Sequence, residues 1–159
     1  GMEIEALQKI CETAGCDVAN DNSPGQVVIS GTRESVETAM EMAKGQGARR
    51  AMPLALSVPV HCRVQAPAAD VMRAALDSVE FKKPIVPIIL NKTCAPTTDI
   101  DEIKDALVYQ MTHGVRWRES VLNMANLGIT EMIEVGPGSV LTGLCSRITD
   151  KITAKKLEI

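Results

Sequence analysis

Two hydrophobic periodicities alternate along this chain, and that alternation limits its possible folds more than any other feature. Apolar residues repeat at helical spacing in several segments, which predicts helices over 4–14, 33–44, 64–80, 118–128 and 139–149 and one more that begins after Asp99. Short β-branched segments between them predict strands over 26–30, 48–54, 86–90 and 130–135, with a further short strand at 17–20 before a turn at 20–25. Strands that alternate with helices are typical of a parallel α/β layer, so the predicted fold class is α/β.

The first third of the chain differs in organisation from the rest. Its predicted order is helix, short strand, turn, strand, helix and strand, which resembles a split βαβ unit without its opening strand. The later part alternates helices with single buried-type strands. The natural boundary between the two units therefore lies at 54–57.

Composition excludes several classes of protein. The 159 residues are 45% hydrophobic and 23% charged, as in ordinary globular proteins. The longest uncharged apolar run spans 85–90, whereas a membrane helix needs about 20 such residues. No signal segment opens the chain, so we expect a cytoplasmic protein without membrane contact. A net charge of −3 with one Phe, one Tyr and one Trp argues against a nucleic-acid partner. Five cysteines without a C-x-x-C pair predict neither a disulfide framework nor a metal site.

Only two histidines are available for acid–base chemistry. His61 follows Pro59 in a short loop that leads into a predicted helix, and loops held by rigid elements often carry catalytic bases. On this context alone, a helix-capping or packed histidine is the alternative. His113 precedes Gly114 in a polar turn, where a structural role is favoured more strongly.

A nucleophile is not evident in the sequence. The G-x-S-x-G pattern, which exposes a serine at a strained strand-to-helix turn, is absent. Cys145 lies inside a predicted helix and Cys62 adjoins His61, so we interpret both as structural thiols. The turn at 136–138 is either an anion site at a helix N-terminus or a plain connection.

Basic residues are spread along this acidic chain. They indicate solvated faces, or else a local patch for an acidic partner. The residues concerned are Arg49, Arg50, Lys82, Lys83, Arg116 and Arg118.

Five motifs occur together in an order that is typical of one family. They are N-S-P-G-Q-V-V-I-S-G at 22–31, S-V-P-V-H-C at 57–62, Gln110 with V-R-W at 115–117, E-V-G-P-G at 134–138 and L-T-G-L at 141–144. Together they resemble the malonyl-CoA:acyl carrier protein transacylases of bacterial type II fatty acid synthesis. The resemblance covers all 159 residues but only about the C-terminal half of the family's length. One departure is His-Gly at 113–114, because many members have a proline as the second of these two residues.

The resemblance implies both a fold and a reaction. The family's fold is an α/β-hydrolase-like acyltransferase body with an inserted ferredoxin-like subdomain. Residues 1–54 would be that α+β subdomain without its first strand, and 55–159 the C-terminal part of the body. Family members move malonyl from coenzyme A to the phosphopantetheine thiol of acyl carrier protein by a ping-pong mechanism through an acyl-serine. The implied partners are malonyl-CoA and acyl carrier protein, with no cofactor beyond these substrates.

The same resemblance assigns roles to four residues. His61 would be the general base that activates the serine and later the incoming thiol. The main-chain carbonyl of Gln110 would orient the imidazole in place of the usual acid. Asn22 and Gln26, on the subdomain turn that faces the cleft, would line or brace the substrate pocket.

Other family features lie upstream of the matched region. These are the nucleophile motif G-H-S-[LQ]-G, an oxyanion-hole glutamine and the arginine that pairs with the malonyl carboxylate. We therefore expect a fragment or a split chain that is inactive alone and needs the N-terminal half of the same enzyme. The alternative is a non-catalytic module that docks the carrier protein. Loss of opening strands exposes apolar edges and faces, so we also expect association or poor solubility in isolation.

Overall fold

A computed structural model describes residues 2–158. Its helices are α1 (Ile4–Ala14), α2 (Arg33–Gly45), α3 (Ala66–Asp77), α4 (Ile100–Thr112), α5 (Trp117–Asn126) and α6 (Val140–Ile148). Its strands are β1 (Asp17–Ser23), β2 (Gln26–Ser30), β3 (Ile88–Ile89), β4 (Pro96–Thr97), β5 (Glu131–Glu134) and β6 (Thr153–Lys156), and a 3₁₀ turn at Arg63–Gln65 precedes α3. None of the helices within 2–158 has the length and apolar character that crossing a membrane requires.

Helices α1 and α2 pack on each other and on the antiparallel hairpin β1–β2. Gly15 ends α1 in the left-handed conformation at φ +79°, and its N–H donates to the Cys11 carbonyl at 2.9 Å. The Thr32 hydroxyl caps α2, because it accepts from the Ser35 N–H at 3.2 Å. The buried core between these elements consists of Leu7, Ile10, Cys11, Cys16, Ala39 and Ala43.

A seam of main-chain hydrogen bonds joins β1 to the loop between α4 and α5. The Val115 N–H donates to the Ala19 carbonyl at 2.8 Å, and the Asp21 N–H donates to the Val115 carbonyl at 2.9 Å. Gly114 permits this approach, because a Cβ there would lie 2.3 Å from the Val18 carbonyl oxygen. Any side chain at position 114 would therefore disrupt the main-chain seam.

Side chains reinforce the attachment of the hairpin. Asp17 accepts from the Arg63 backbone N–H at 2.8 Å and from the Arg63 guanidinium at 2.6 Å. The buried Asp21 accepts from Arg118 Nε at 2.8 Å. These ion pairs hold β1 against both the 3₁₀ turn and α5.

The remaining chain forms two further packed regions. Helix α3 packs on α4 near the small antiparallel pair β3–β4. Helix α6 connects β5 to β6, which pair in parallel, and packs on α5. A parallel pair joined by a helix is the α/β arrangement that the sequence predicts. The buried clusters are Leu90, Ile103 and Ala106 near α4, and Val121, Cys145 and Ile152 near α6.

Two predicted strands differ from the structure. Residues 48–54 form no strand in the described chain, because β2 lies across an open groove from them and pairs only with β1. Of residues 86–90, only Ile88–Ile89 pair, with Pro96–Thr97. Hydrogen bonding to a neighbouring strand defines a strand, and apolar sequence alone does not supply that neighbour.

Two predicted elements have different boundaries in the structure, and one strand was not predicted. Strand β1 continues to Ser23 through most of the predicted turn, and two register shifts accommodate its polar residues, so only Pro24 and Gly25 form the turn. The helix predicted at 64–80 is a 3₁₀ turn followed by a shorter helix, α3. Strand β6 was not predicted, because its Thr-Ala-Lys-Lys sequence carries no apolar alternation.

Candidate active site

His61 lies in a strained backbone conformation in the loop that follows residue 57. Its φ is +55°, in the left-handed region that residues with a Cβ rarely adopt. The neighbouring residues are anchored, because the Val60 N–H donates to Ser30 Oγ at 3.1 Å and Cys62 is fully buried. Strained conformations of this kind persist only when the surrounding contacts fix them, and they cluster at functional sites.

The imidazole of His61 contacts the main chain of α4. Its Nδ1 lies 2.7 Å from the carbonyl oxygen of Gln110. A carbonyl oxygen can only accept, so this hydrogen bond places the proton of the neutral ring on Nδ1 and leaves a lone pair on Nε2. The ring can therefore take up a proton at Nε2 while Nδ1 stays anchored, as a general base must.

The Gln110 carbonyl is available because it lies in the last turn of α4. The last four carbonyls of a helix have no partner within the helix. Past Thr112 the chain leaves the helix to form the main-chain seam with β1, so the helix does not continue over Gln110. The end of α4 thus supplies an acceptor that the His61 ring uses.

Asn91 is a neighbour of this pair that the sequence analysis did not single out. Its Nδ2 donates to the side-chain Oε1 of Gln110 at 3.1 Å. Asn91 directly follows Leu90, the buried end of the predicted strand at 86–90. Polar residues just past the carboxyl ends of strands often line ligand sites in α/β proteins, and this was the signal available in the sequence.

Asn22 and Gln26 lie on the β1–β2 hairpin, and within residues 2–158 neither is hydrogen-bonded to His61 or Gln110. Asn22 is partly buried in β1, whereas Gln26 is exposed and its Oε1 accepts from Arg147 Nη1 at 3.0 Å. Gln26 lines an open groove of about 850 Å³ that extends to Val60, the residue before His61. The structure therefore brings His61 and Gln110 into contact, and it links Gln26 to Arg147 instead.

This groove runs between β2 and the segment 50–60. Helices α1 and α2 contribute apolar residues to its lining, among them Leu7, Val36 and Met40. We call it the β2 groove. Its lining includes the whole of β2, Gln26–Ser30, together with these apolar side chains.

Neither cysteine considered as a nucleophile is accessible. Cys62 and Cys145 are fully buried, and all five cysteines of the chain are buried and free. Burial raises the pKa of the Cys145 thiol, which disfavours the reactive thiolate. Both residues therefore pack as small apolar side chains.

The glycine-rich turn at 136–138 precedes a helix whose N-terminus is already occupied. The Glu134 carboxylate accepts from the Thr142 hydroxyl at 2.7 Å, from the Thr142 N–H at 2.8 Å and from the Leu141 N–H at 3.2 Å. These hydrogen bonds lower the pKa of Glu134. The carboxylate takes the place that a bound phosphate would need, so the turn is a strand-to-helix connection closed by its own glutamate.

The remaining candidates have structural partners or lie on the surface. His113 stacks on Tyr109 with ring centroids 3.7 Å apart. Arg116 donates to Glu119 at 2.8 Å, whereas the basic pairs at 49–50 and 82–83 are exposed.

In the part of the chain that the structure describes, no three His, Cys, Asp or Glu side chains cluster as metal ligands would.

Comparison with known proteins supports a family assignment. A family model described as the acyl transferase domain matches residues 3–157. The chain belongs to this family. The malonyl CoA-acyl carrier protein transacylase of Escherichia coli (strain K12) is 45% identical to this chain over 161 residues, which cover 99% of this chain and 52% of the relative. The chain thus spans about half the length of the curated relatives it matches.

Solved structures of relatives confirm the α/β fold class of this chain. The acyl carrier protein S-malonyltransferase of Vibrio cholerae is 43% identical, with a TM-score of 0.95 over 99% of this chain and 53% of the relative. A malonyl-transacylase solved in complex with the acyl-carrier protein of a type II PKS is 39% identical, also with a TM-score of 0.95, over 99% of this chain and 52% of the relative.

Proposed function

We propose that this chain is the base-bearing part of a malonyl transferase. The proposed reaction moves malonyl from coenzyme A to the phosphopantetheine thiol of acyl carrier protein. The assignment of the substrates is supported by the relatives named malonyl CoA-acyl carrier protein transacylase. The assignment of the partner is supported by the relative that was solved with its acyl-carrier protein. The observation that carries the proposal is the 2.7 Å contact between His61 Nδ1 and the Gln110 carbonyl, which frees Nε2 to act as a base.

The proposed chemistry has two halves that use His61 in the same way. In the first, Nε2 takes the proton of a serine hydroxyl while the serine oxygen attacks the carbonyl of the malonyl thioester. The departing coenzyme A thiolate then receives that proton from Nε2. In the second, Nε2 takes the thiol proton of phosphopantetheine, the thiolate attacks the acyl-serine, and the serine oxygen regains a proton. The Gln110 carbonyl stabilises the imidazolium that forms in each half.

The serine itself would come from polypeptide outside these 159 residues. The family motif G-H-S-[LQ]-G has no counterpart in this sequence. The oxyanion donors and the arginine for the malonyl carboxylate would come from the same source. Residues 1–159 alone then provide a base without an acyl acceptor and should not turn over.

The proposal also includes two structural units. Residues 1–54 would form a ferredoxin-like subdomain that lacks its first strand, and 55–159 the C-terminal part of the α/β body. The β2 groove supports this division, because a strand placed there would pair with the open edge of β2 and cover the apolar side of α1 and α2. Asn22 and Gln26 would line or brace the substrate pocket from the same hairpin.

Intact-protein mass after incubation with malonyl-CoA tests the proposed function. The chain is tested alone and with a separately produced nucleophile-bearing half. We expect a malonyl adduct only in the mixture and only on the added half. His61→Ala should abolish its transfer to acyl carrier protein, whereas His113→Ala, at the other histidine of the chain, is the matched control and should retain it.

A carrier-protein docking module is the second candidate, favoured by the exposed basic pairs Arg49–Arg50 and Lys82–Lys83 on an otherwise acidic chain. The two candidates predict different outcomes for the same variant. If the mixture transfers malonyl equally well with His61→Ala, the base assignment is wrong and the docking module gains support. An adduct on this chain alone would reveal a nucleophile that this mechanism does not contain.

A further inference from the structure

We infer that Asn91 is a positioning residue for His61, acting through Gln110. Two hydrogen bonds in series connect the three residues: Asn91 Nδ2 donates to Gln110 Oε1 at 3.1 Å, and Gln110 accepts at its carbonyl from His61 Nδ1 at 2.7 Å. The chemical meaning of this link rests on the proposed function. The contacts that carry the link do not depend on that function.

The turn that carries Asn91 is itself firmly held. Cys94 is fully buried at φ +53°, and its N–H donates to the Leu90 carbonyl at 2.7 Å. Asn123 Nδ2 donates to the Cys94 carbonyl at 3.2 Å, which ties the turn to α5. Asn91 therefore projects from a turn that lies between β3 and β4 and is tied to α5.

The last turn of α4 needs such an anchor. Helix ends fray, because their terminal carbonyls lack partners within the helix. Gln110 lies three residues before the point where the chain turns away toward β1. The Asn91 amide attaches this turn to the body through the Gln110 side chain, so the Gln110 carbonyl keeps its place opposite His61.

An amide is well suited to this task. It fixes an orientation without placing a second charge beside the imidazolium, whereas a carboxylate would add one. Gln110 thereby serves in two ways, with its carbonyl toward His61 and its side chain toward Asn91.

The ring tautomer of His61 provides a direct test, because the chain has only two histidines. The chain is labelled with ¹⁵N-histidine, and magic-angle-spinning NMR at alkaline pH reports which ring nitrogen carries the proton. The variants are Asn91→Leu, Gln110→Ala and the double substitution. Thr93→Val, on the same turn and exposed, is the matched control. His113, whose Nδ1 lies 3.0 Å from the Tyr109 carbonyl, reports whether the last turn of α4 is intact.

We expect one Nδ1-protonated tautomer for His61 in the unaltered chain and in Thr93→Val. Asn91→Leu and Gln110→Ala should each lose that single tautomer in favour of a mixture, with the His113 signal unchanged. The double substitution should change His61 no further than either single one, because both remove the same hydrogen bond.

Three results would overturn the inference. They are a single unchanged tautomer in Asn91→Leu, equal effects of Thr93→Val and Asn91→Leu, and effects of the two single substitutions that add in the double. If Asn91→Leu also moves the His113 signal, Gln110→Ala decides, because it keeps the Asn91 turn and an unchanged His61 tautomer then refutes the link. No turnover is measured, so a failure of malonyl transfer would leave this result standing.

Discussion

Within residues 2–158, two non-glycine residues adopt left-handed backbone conformations, and both belong to the network around Gln110. His61 has φ +55° and Cys94 has φ +53°. Each costs roughly 1–2 kcal/mol relative to glycine. In both cases neighbouring contacts hold the strained conformation: Ser30 and Gln110 around His61, and the buried thiol pocket around Cys94.

The strain at His61 predicts an unusual order of stabilities. His61→Gly and His61→Ala both remove the imidazole, but only glycine adopts φ +55° without strain. We expect the free energy of unfolding of His61→Gly to exceed that of His61→Ala by about 1 kcal/mol. In denaturant titrations, His61→Gly should therefore have the higher unfolding midpoint. At His113, where φ is −128°, the order should reverse. Equal stabilities of the two His61 variants would show that the loop relaxes in solution.

Burial of the thiols predicts low reactivity. Desolvation raises the pKa of both Cys94 and Cys145, and all five cysteines are buried. A thiol reagent such as iodoacetamide should therefore modify the folded chain slowly and modify all five thiols quickly in denaturant. Intact mass against time measures both rates. Fast modification of one thiol in the native chain would contradict the buried placement.

Among the elements, those with local signals were predictable from sequence. Gly15 ends α1, Thr32 begins α2 and Asp99 caps α4, and each acts through residues within four positions along the chain. Strand β6 and the unpaired segment 48–54 were not predictable, because pairing depends on which strand lies alongside. At the site, His61 and Gln110 came from family resemblance. Asn91 was missed, because its bond to Gln110 spans 19 residues, and its position just past a predicted strand does not indicate which residue it contacts.

The approach of Gly114 to β1 predicts a large effect of a small substitution. Gly114→Ala would place a Cβ 2.3 Å from the Val18 carbonyl oxygen and force the main-chain seam apart. We expect a loss of about 1–3 kcal/mol in the free energy of unfolding, as for overpacked sites. Gly45→Ala is the control, because no atom lies within 4 Å of its added Cβ and alanine favours helix. Urea unfolding measures both, and equal midpoints would refute the close approach.

The ion pair of Asp17 with Arg63 predicts a pH dependence. Burial alone would raise the pKa of Asp17, but the hydrogen bonds and charge of Arg63 outweigh it and lower the pKa. A carboxyl with a lowered pKa in the folded state stabilises the fold above its unfolded value of about 3.9, and that stability is lost as the pH falls through the folded value.

Asp17→Asn should therefore be less stable than the unaltered chain at neutral pH, by up to about 1 kcal/mol for a partly exposed pair. The difference should vanish near pH 2. Urea midpoints at both pH values measure it, with Asp150→Asn, at an exposed carboxylate, as the control. A difference that persists in acid would mean that Asp17 acts through packing instead of charge.

At the scale of the whole molecule, the described residues bury three small cores and expose many large apolar side chains. Ile85 is 100% exposed in the segment before β3, Val135 is 73% exposed just after β5, and Val71 is 71% exposed on α3. Surfaces of this extent mark places where another chain packs. The distribution matches the proposal that a nucleophile-bearing half completes the body.

We expect the chain alone to self-associate and to bind a dye that reports apolar surface. Light scattering across a concentration series measures the first, and dye fluorescence the second. Adding the nucleophile-bearing half should suppress both and should slow hydrogen exchange at 26–31 and 50–60, the two sides of the β2 groove. A monodisperse monomer that unfolds cooperatively would contradict this expectation.

The main-chain seam between β1 and the loop at 114–115 has a consequence for recombination. Its donors and acceptors are backbone atoms, so the joint carries almost no residue-specific information beyond the glycine at 114. Hairpins grafted from diverged relatives should then keep these main-chain hydrogen bonds, provided that they retain Asp17 for Arg63 and Asp21 for Arg118. Position 114 and these two ion pairs are the places where the sequences on the two sides of the joint must match.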